Sequence, residues 1–386
     1  MIDRATAVNP SVLRWARDRA GLSLDAVAAR LKKSVEMVAA WESGADAPTY
    51  RQLEELAERL YKRPVAIFFF PAPPDEDDPR RQFRTLPETE LAFLAPDTRY
   101  AIREAVALQD SVRELRTGED QTASLITRDL RQRTTLPVSE LAHAARSYLG
   151  ISLEEQASWR GPESAFKQWR RSLEASGVCV FKRSFKQAEI LGFSIFDDQL
   201  PLILVNNSTA HSRQIFTLFH ELAHLLYSIG GITKSDTSFI DHLAGRARDI
   251  EIGCNQFAAE FLVPTASFPW QDVRIAELDP FVSLQAKRYN VSREVILRRL
   301  LDRNYVDQRT YLQKVAEWNR EYEGSREGRE GGNYYATQAT YLGDAFLKLA
   351  FSQYYRGAVT LEELAGHLRM KARNAIRLED FMLAGD

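Results

Sequence analysis

The sequence of 386 residues is poor in cysteine and carries almost no net charge. Its two cysteines, Cys179 and Cys254, are too few for a disulfide framework and favour a reducing compartment. They also lack CxxC spacing, which disfavours a zinc site built from thiolates. The formal net charge of −2 argues against a protein that coats nucleic acid through charge alone. A small DNA-reading module remains compatible with a neutral total.

Long apolar runs are also missing. No run approaches the roughly 18 residues that a membrane-spanning helix needs. Residues 1–21 have neither the apolar segment nor the cleavage signal of a secretory peptide. We therefore expect a cytoplasmic protein that makes no membrane contact.

The composition that is present, with 45% hydrophobic and 27% charged residues, is typical of a folded globular chain. The length exceeds what one hydrophobic core usually serves, so two or three domains are expected. Residues 10–62 show the 3.6-residue apolar period of four short helices. Gly21 separates the first two, and the third has Ser34 as its N-cap and Gly44 beyond its end. A proline-rich acidic stretch at 71–81 predicts an extended linker.

The rest of the chain predicts helices around a short β-rich stretch. Before residue 176, helices are predicted at 97–116, 139–148 and 163–175. Strands are predicted at 177–184, 191–198 and 200–207, with Asp197–Asp198 as the hairpin turn between the last two. Helices follow at 210–228, at 249–263 and beyond 275, interrupted by a polar glycine-rich loop at 323–332. The fold class is therefore α+β and mostly helical.

The segment HELAH, which runs from His220 to His224, carries the clearest chemical signal. Residues four apart on a helix share one face, so both imidazoles can bind a single Zn²⁺ at about 2.0–2.1 Å. Glu221 lies beside the first histidine, where its carboxylate can act on a metal-bound water without binding the metal. The alternative is an amphipathic helix whose histidines only pack, but a buried apolar helix has no cause to carry these three polar residues.

A catalytic zinc usually has three protein ligands, so one more must come from elsewhere in the chain. The extended pattern with a third histidine is absent, because Gly230 and Gly231 are followed by ITKSD. The helix predicted from 249 offers Glu251, whose carboxylate would otherwise be a routine first-turn residue. Spacing alone leaves Glu251, Asp249 and His242 open as candidates.

The strings RQIFTLFHELAHLL and EIGCNQFAAEFLVP, preceded by the strand LILVNN, resemble the ImmA/IrrE family of metallopeptidases. In that family the third ligand is the glutamate four residues before the asparagine, a position that Glu251 holds here. Cys254 is a departure, since many members have alanine there. The resemblance implies a zincin-like peptidase domain with a small β-sheet at 161–300, followed by a helical C-terminal region at 301–386.

Residues 10–62 resemble an XRE-type helix-turn-helix, through GLSLDAVAARL, SVEMVAAWESG and the spacing to LEELAERL. Longer ImmA/IrrE proteins often carry this module, an exit such as AIFFFPAPP and an FRT segment like that at 83–85. We therefore place a helix-turn-helix domain at 1–72 and a linker with helices at 73–160. The possible DNA contacts are Lys32, Lys33, Ser34 and Met37.

The predicted reading helix is poorly suited to DNA. Glu36 would repel phosphate, and Met37 and Ala39 stand where specific readers place Arg, Lys, Asn or Gln. Residues 1–60 hold nine Lys or Arg and nine Asp or Glu, so no basic field compensates. A scaffold for homodimerisation or protein docking has equal weight with DNA binding.

These features predict a zinc-dependent endopeptidase with Glu221 as general base, although Mn²⁺ or another divalent ion could replace zinc. The resemblance implies a narrow protein substrate, commonly a helix-turn-helix repressor whose cleavage controls a stress, phage or mobile-element response. The strand at 200–205, if it forms a sheet edge, could pair with an extended substrate, and otherwise it is core. The rival hypothesis is a non-catalytic DNA- or protein-binding regulator with a structural metal site. Candidate oxyanion donors are His211, Tyr227 and His242.

Overall fold

The structure is a computed structural model that describes residues 4–76, 91, 93–117, 124–235, 239–326 and 332–384. Its internal contacts divide the chain into two compact units. The first unit comprises 1–106 with 185–187, and the second comprises 107–184 with 188–386.

The first unit contains four short helices, α1 Pro10–Arg19, α2 Leu24–Leu31, α3 Val35–Ser43 and α4 Tyr50–Glu54. Each begins after a residue whose side chain accepts a hydrogen bond from a free backbone N–H, namely Asn9, Ser23, Ser34 and Thr49. Gly21 and Gly44 adopt positive φ, as predicted for residues that end helices. The chain continues from α4 through a π-helical turn, Glu55–Tyr61, and a 3₁₀ turn, Val65–Phe69. The four predicted helices are confirmed.

The α-helices that follow are α5 Pro96–Leu115, α6 Ile126–Asp129, α7 Val138–Leu149, α8 Leu153–Ser158, α9 Pro162–Ala175, α10 His211–Leu226, α11 Phe239–His242, α12 Gly245–Leu262, α13 Leu278–Tyr289, α14 Arg293–Asp302, α15 Gln308–Arg326, α16 Tyr334–Leu342, α17 Asp344–Tyr355, α18 Leu361–His367 and α19 Ala372–Ala384. None of the described helices is long and apolar enough to cross a bilayer.

Four described strands form one sheet in the order β1-β3-β2-β4. They are β1 Cys179–Arg183, β2 Ile190–Ile195, β3 Leu202–Asn206 and β4 Ile232–Lys234. The predicted hairpin is confirmed, because β2 pairs antiparallel with β3. The idea that the strand at 200–205 forms a sheet edge is wrong, since β3 also pairs with β1. β4, which the sequence did not predict, takes the edge beyond β2.

Helix α10 lies on this sheet because one glycine lets the two approach. A Cβ added at Gly192 on β2 would lie 2.7 Å from Thr217 Cγ2 of α10 and 2.8 Å from the Leu204 carbonyl oxygen. On its other side α10 packs against α12, with the rings of Phe219 and Phe261 stacked at 4.0 Å. This packing fixes the two helices that carry the HELAH segment and Glu251.

The C-terminal helices are attached to the β1 side of the sheet. The Arg170 guanidinium, on α9, donates to the carbonyls of Thr340 and Leu342 at 2.8 Å each and so satisfies the end of α16. The rings of Phe181 on β1 and Phe346 on α17 pack edge to face at 5.3 Å. Within the described residues, β1 is therefore covered, while no strand pairs with the outer edge of β4.

Two predicted boundaries differ from the structure. Helix α12 begins at Gly245 rather than 249, so Glu251 lies in its second turn and not at its start. Helix α15 extends to Arg326 and replaces part of the loop predicted at 323–332. The segments 327–331, 77–81 of the predicted linker and the FRT segment at 83–85 lie outside the described residues.

Candidate metal centre

Three donor groups converge between α10 and α12. His220 and His224 lie one helical turn apart on α10, and their Nε2 atoms are 3.1 Å from each other. The carboxylate of Glu251, on α12, approaches both, with Oε2 3.3 Å from His220 Nε2 and Oε1 3.4 Å from His224 Nε2. All three residues are at most 3% exposed. The structure thus brings the two histidines together with Glu251, which is one of the three candidates for the third ligand.

These distances fit a shared metal ion. Ligands at about 2.0–2.1 Å in a tetrahedral arrangement stand about 3.3–3.4 Å apart, close to the three separations here. Glu251 Oε2 is buried and makes no hydrogen bond of normal geometry in the described part of the chain, although it lies 3.3 Å from His220 Nε2. A buried carboxylate oxygen without a hydrogen bond is costly, so this oxygen indicates a site shaped for a cation.

The surroundings of Glu251 and His224 shift the pKa values of these two groups in opposite directions. Burial raises the pKa of the Glu251 carboxyl, but the charge of His224 and contact with both imidazoles outweigh burial and hold it well below the usual range. Burial alone would lower the pKa of His224, yet the neighbouring Cys254 and Glu251 raise it well above the usual value. Each shift favours the charged form of its own group, as expected of an acidic and a basic group in contact.

The first histidine is oriented by a residue one turn after Glu251. His220 Nδ1 lies 3.0 Å from Asn255 Oδ1. A hydrogen bond in which Nδ1–H donates to this amide oxygen leaves Nε2 free to bind a metal. Because Glu251 and Asn255 are four residues apart, the same face of α12 supplies both contacts.

Glu221 is completely buried and faces the sheet rather than standing in the trio of converging donors. Ser194 Oγ, on β2, donates to its Oε2 at 2.6 Å. Thr233 Oγ1, on β4, donates to its Oε1 at 2.5 Å. Both carboxylate oxygens are therefore satisfied by hydroxyl groups from neighbouring strands.

Gly231 joins this carboxylate to the second histidine. Its N–H donates to Ser194 Oγ at 3.1 Å. A Cβ added at the same residue would lie only 2.3 Å from Cδ2 of the His224 ring. The chain entering β4 thus touches the imidazole directly, and a side chain larger than hydrogen would displace it.

Cys254 is the residue of this region that the sequence undervalued. Its thiol is fully buried and lies with the donor nitrogens of His220 and His224 in a group whose ligand atoms are all within 4.8 Å of one another. Burial raises the pKa of this thiol, and the charge of His224 lowers it in part. CxxC spacing is a local pattern, so its absence does not exclude a thiol that the fold places beside the two histidines.

The other sequence candidates lie apart from the cluster. His242 and Asp249 are exposed. His211, the first residue of α10, is half-buried, with its ring 6.3 Å from that of Phe166. Tyr227 Oη lies 3.3 Å from the position of a Cβ on Gly253 of α12, which places it near Cys254. Tyr227 therefore lies beside the part of α12 that carries Cys254.

The candidate DNA contacts in the first unit are all exposed, namely Lys32, Lys33, Ser34 and Met37. Ser34 uses its hydroxyl to cap α3 by accepting from the Met37 N–H at 3.3 Å. Lys32 ends α2 with a left-handed φ of 54°. Met37 is 39% exposed on α3, next to the exposed acidic Glu36.

Comparison with known families agrees with this geometry. Residues 173–301 match the family of IrrE N-terminal-like domains, Peptidase_M78, and residues 13–63 match a helix-turn-helix family. The two matches together confirm the ImmA/IrrE architecture that the sequence motifs indicated. No curated protein matches the chain.

Proposed function

We propose that the chain is a zinc-dependent endopeptidase in which His220, His224 and Glu251 bind the metal and Glu221 is the general base. The observation that supports this most strongly is the convergence of three donor groups within 3.4 Å, in a buried site, beside a carboxylate that is held apart from them. A purely structural site has no need of that fourth group. Mn²⁺ or another divalent ion is the alternative to zinc.

A bound zinc ion would supply Lewis acidity, lowering the pKa of a water molecule and polarising the scissile carbonyl. Glu221 accepts the proton of the attacking water at one carboxylate oxygen. It then donates that proton to the amine nitrogen that leaves when the peptide bond breaks. Asn255 keeps His220 in the tautomer that presents Nε2, as its contact with Nδ1 requires.

The proposed substrate is an extended segment of a regulatory protein such as a helix-turn-helix repressor, in the cytoplasm. Strand β4 supports this, because it is the last strand on its side of the described sheet and it follows directly on Gly231 at the His224 ring. A substrate strand paired there would place its backbone next to the metal site. Cleavage of the repressor would then switch on a stress, phage or mobile-element response.

Substitution of Glu221 by Gln tests the proposal. Glutamine keeps the shape of the side chain but cannot accept the proton, so cleavage should fall by at least about 10²–10⁴-fold. The measurement is cleavage of a candidate helix-turn-helix repressor on co-expression with wild type or the variant. Equal cleavage by both proteins would show that another residue is the base.

Cys254 favours a second candidate function, that of a non-catalytic regulator. A fourth protein donor would close the coordination shell, and closed zinc sites are structural. In that case the wild-type protein and Glu221→Gln would produce the same regulatory response, and neither would cleave a partner. The helix-turn-helix unit would then carry the function by docking to protein, by homodimerisation or by weak contact with DNA.

A further inference from the structure

We propose that Ser194 and Thr233 are positioning residues that hold the Glu221 carboxylate in its working orientation, an inference that rests on the proposed function. The two hydroxyls come from different strands, β2 and β4, and each binds a different carboxylate oxygen, at 2.6 and 2.5 Å. Neither residue belongs to the HELAH segment or to the metal donors.

Two hydrogen bonds from neighbouring strands fix the plane of the carboxylate as well as its position. An ionised carboxylate has about four acceptor positions, so the two hydroxyls leave about two for a water molecule and a leaving amine. A glutamate side chain loses much rotamer freedom when it is ordered, and fixed partners supply that order before any substrate arrives. The arrangement therefore preorganises the carboxylate and still leaves it able to accept a proton.

The partners of the two hydroxyls tie this arrangement to the rest of the site. Ser194 is itself held by Gly231, whose N–H donates to Oγ and whose carbonyl accepts from the Ser194 N–H at 2.9 Å. Gly231 also abuts the His224 ring. Thr233 lies on β4, the strand proposed to pair with substrate. The segment from Gly231 to Thr233 thus contacts both His224 and Glu221, and it includes part of the strand proposed to pair with substrate.

The simpler explanation is that the hydroxyls only satisfy a buried carboxylate and so stabilise the fold. That explanation predicts that variants without the hydroxyls are less stable. It also predicts that Glu221 contacts a metal-bound molecule in these variants as it does in the wild type. The two explanations differ in one measurable respect, which is the contact between Glu221 and a small molecule on the metal.

Acetohydroxamic acid is the probe, because it chelates zinc through two oxygens and carries an acidic proton that a neighbouring carboxylate can accept. Its affinity for the zinc-loaded full-length protein is measured by calorimetry, with zinc content and melting temperature recorded for every variant. Glu221→Gln should weaken binding about 10-fold. Thr233→Val and Ser194→Ala should each weaken it about 3–10-fold, the value of one hydrogen bond.

Two controls separate positioning from packing. Thr233→Ser restores the hydroxyl and should bind like wild type. Thr217→Val removes a buried hydroxyl that donates to the Arg213 carbonyl at 3.1 Å rather than to Glu221, so the affinity of this variant should stay within about 2-fold of wild type. In the Glu221→Gln background, Thr233→Val should cost nothing further, because it acts only through the carboxylate.

Each outcome decides a different point. Hydroxyl variants that melt earlier but bind the hydroxamate as tightly as wild type would overturn the positioning inference and leave the proposed function intact. Loss of zinc from these variants would also overturn it, since the hydroxyls would then support the metal donors. A wild-type protein that holds zinc but does not bind the hydroxamate would instead contradict the proposed function. If Ser194→Ala does not fold, the Thr233 pair of variants carries the test alone.

Discussion

Helices α10 and α3 both depart from the ordinary amphipathic pattern of buried apolar and exposed polar side chains. Helix α10 buries polar side chains, and helix α3 exposes an apolar one. Helix α10 places His220, Glu221 and His224 where water has almost no access. Helix α3 presents Glu36 and Met37 to solvent, at positions where a DNA-reading helix would carry basic or amide groups. The buried ionisable side chains of α10 converge on one point, whereas α3 buries Glu42 in an ion pair with Arg17 and exposes Met37 beside the acidic Glu36.

The two helices differ in whether the unusual side chains have partners that compensate their cost. Buried ionisable groups are tolerated only when partners or a metal compensate them, and on α10 the partners converge on one point. On α3 the exposed groups have no common focus and no basic field around them. We therefore expect the α10 side to respond sharply to single substitutions, and the α3 side to respond weakly.

The largest effect is expected from removing a metal donor. Zinc sites in proteins are worth roughly 10–16 kcal/mol, so loss of one of three donors should weaken zinc binding on the order of 10³-fold. We predict this for alanine at His220, His224 or Glu251, measured by metal content and by competition with a chelator. Asp249→Ala, at an exposed residue of the same helix, is the matched control and should retain full affinity.

A smaller effect on the same site is expected from Gly231→Ala. The new methyl group would lie 2.3 Å from the His224 ring, so the imidazole must move and zinc affinity should fall about 10–100-fold. Gly366→Ala is the control, because a Cβ there meets nothing within 4 Å. Equal zinc affinity in the two variants would mean that β4 is free to shift away from the histidine.

Much of this arrangement could be predicted from sequence, and the limits have physical causes. The HELAH spacing is local, since one helical turn brings two imidazoles together wherever the helix lies. The choice of Glu251 over its alternatives needed the family resemblance, because contact between two helices is not encoded in spacing. The fold then places His242 and Asp249 in solvent.

Other contributors left no signal in the sequence. Strand β4 has only three residues, too few for an alternating pattern to stand out. Ser194 and Thr233 are ordinary strand residues until the register of β2 against β4 brings both hydroxyls to one carboxylate. Gly231 and Cys254 likewise acquire their importance only from the close packing of β4 and α12 around α10.

Lys182 is a buried charged residue that lies outside the candidate metal centre, so no metal compensates its cost. It is 4% exposed, with its Nζ 4.2 Å from the centre of the Phe166 ring. Burial lowers its pKa from 10.5 to about 7, with smaller contributions from nearby charges. The folded protein thus binds this proton less well than the unfolded chain does, so the lysine's cost grows as pH falls from 10.5 to about 7.

Lys182→Met should therefore stabilise the protein, most strongly at and below pH 7 and not at all above pH 10.5. The full shift corresponds to roughly 5 kcal/mol. We expect about 1–2 kcal/mol, because the ring contact favours the charged form. The free energy of unfolding in urea at several pH values measures this gain. A difference that is independent of pH would show that the ammonium is hydrated in the folded state.

The smallest effect is expected on the α3 side. Any DNA affinity should be weak, tolerant of sequence and steeply reduced by salt, since residues 1–60 hold as many acidic as basic residues and the acidic Glu36 follows closely on Lys32 and Lys33. Met37→Ala should leave it unchanged in a salt titration of fluorescence anisotropy. A nanomolar footprint on one operator at physiological salt, abolished by that substitution, would reverse the contrast between the two helices.

Zinc-edge X-ray absorption of the purified protein tests the central claim most directly, because it counts the atoms that bind the metal. The claim predicts a shell of nitrogen and oxygen ligands only, at about 2.0–2.2 Å, from two imidazoles, one carboxylate and a water molecule. The same spectrum should be obtained from Cys254→Ala. A sulfur atom at about 2.3 Å, lost in Cys254→Ala, would contradict the claim, since the thiol would then close the site and leave no open position for catalysis.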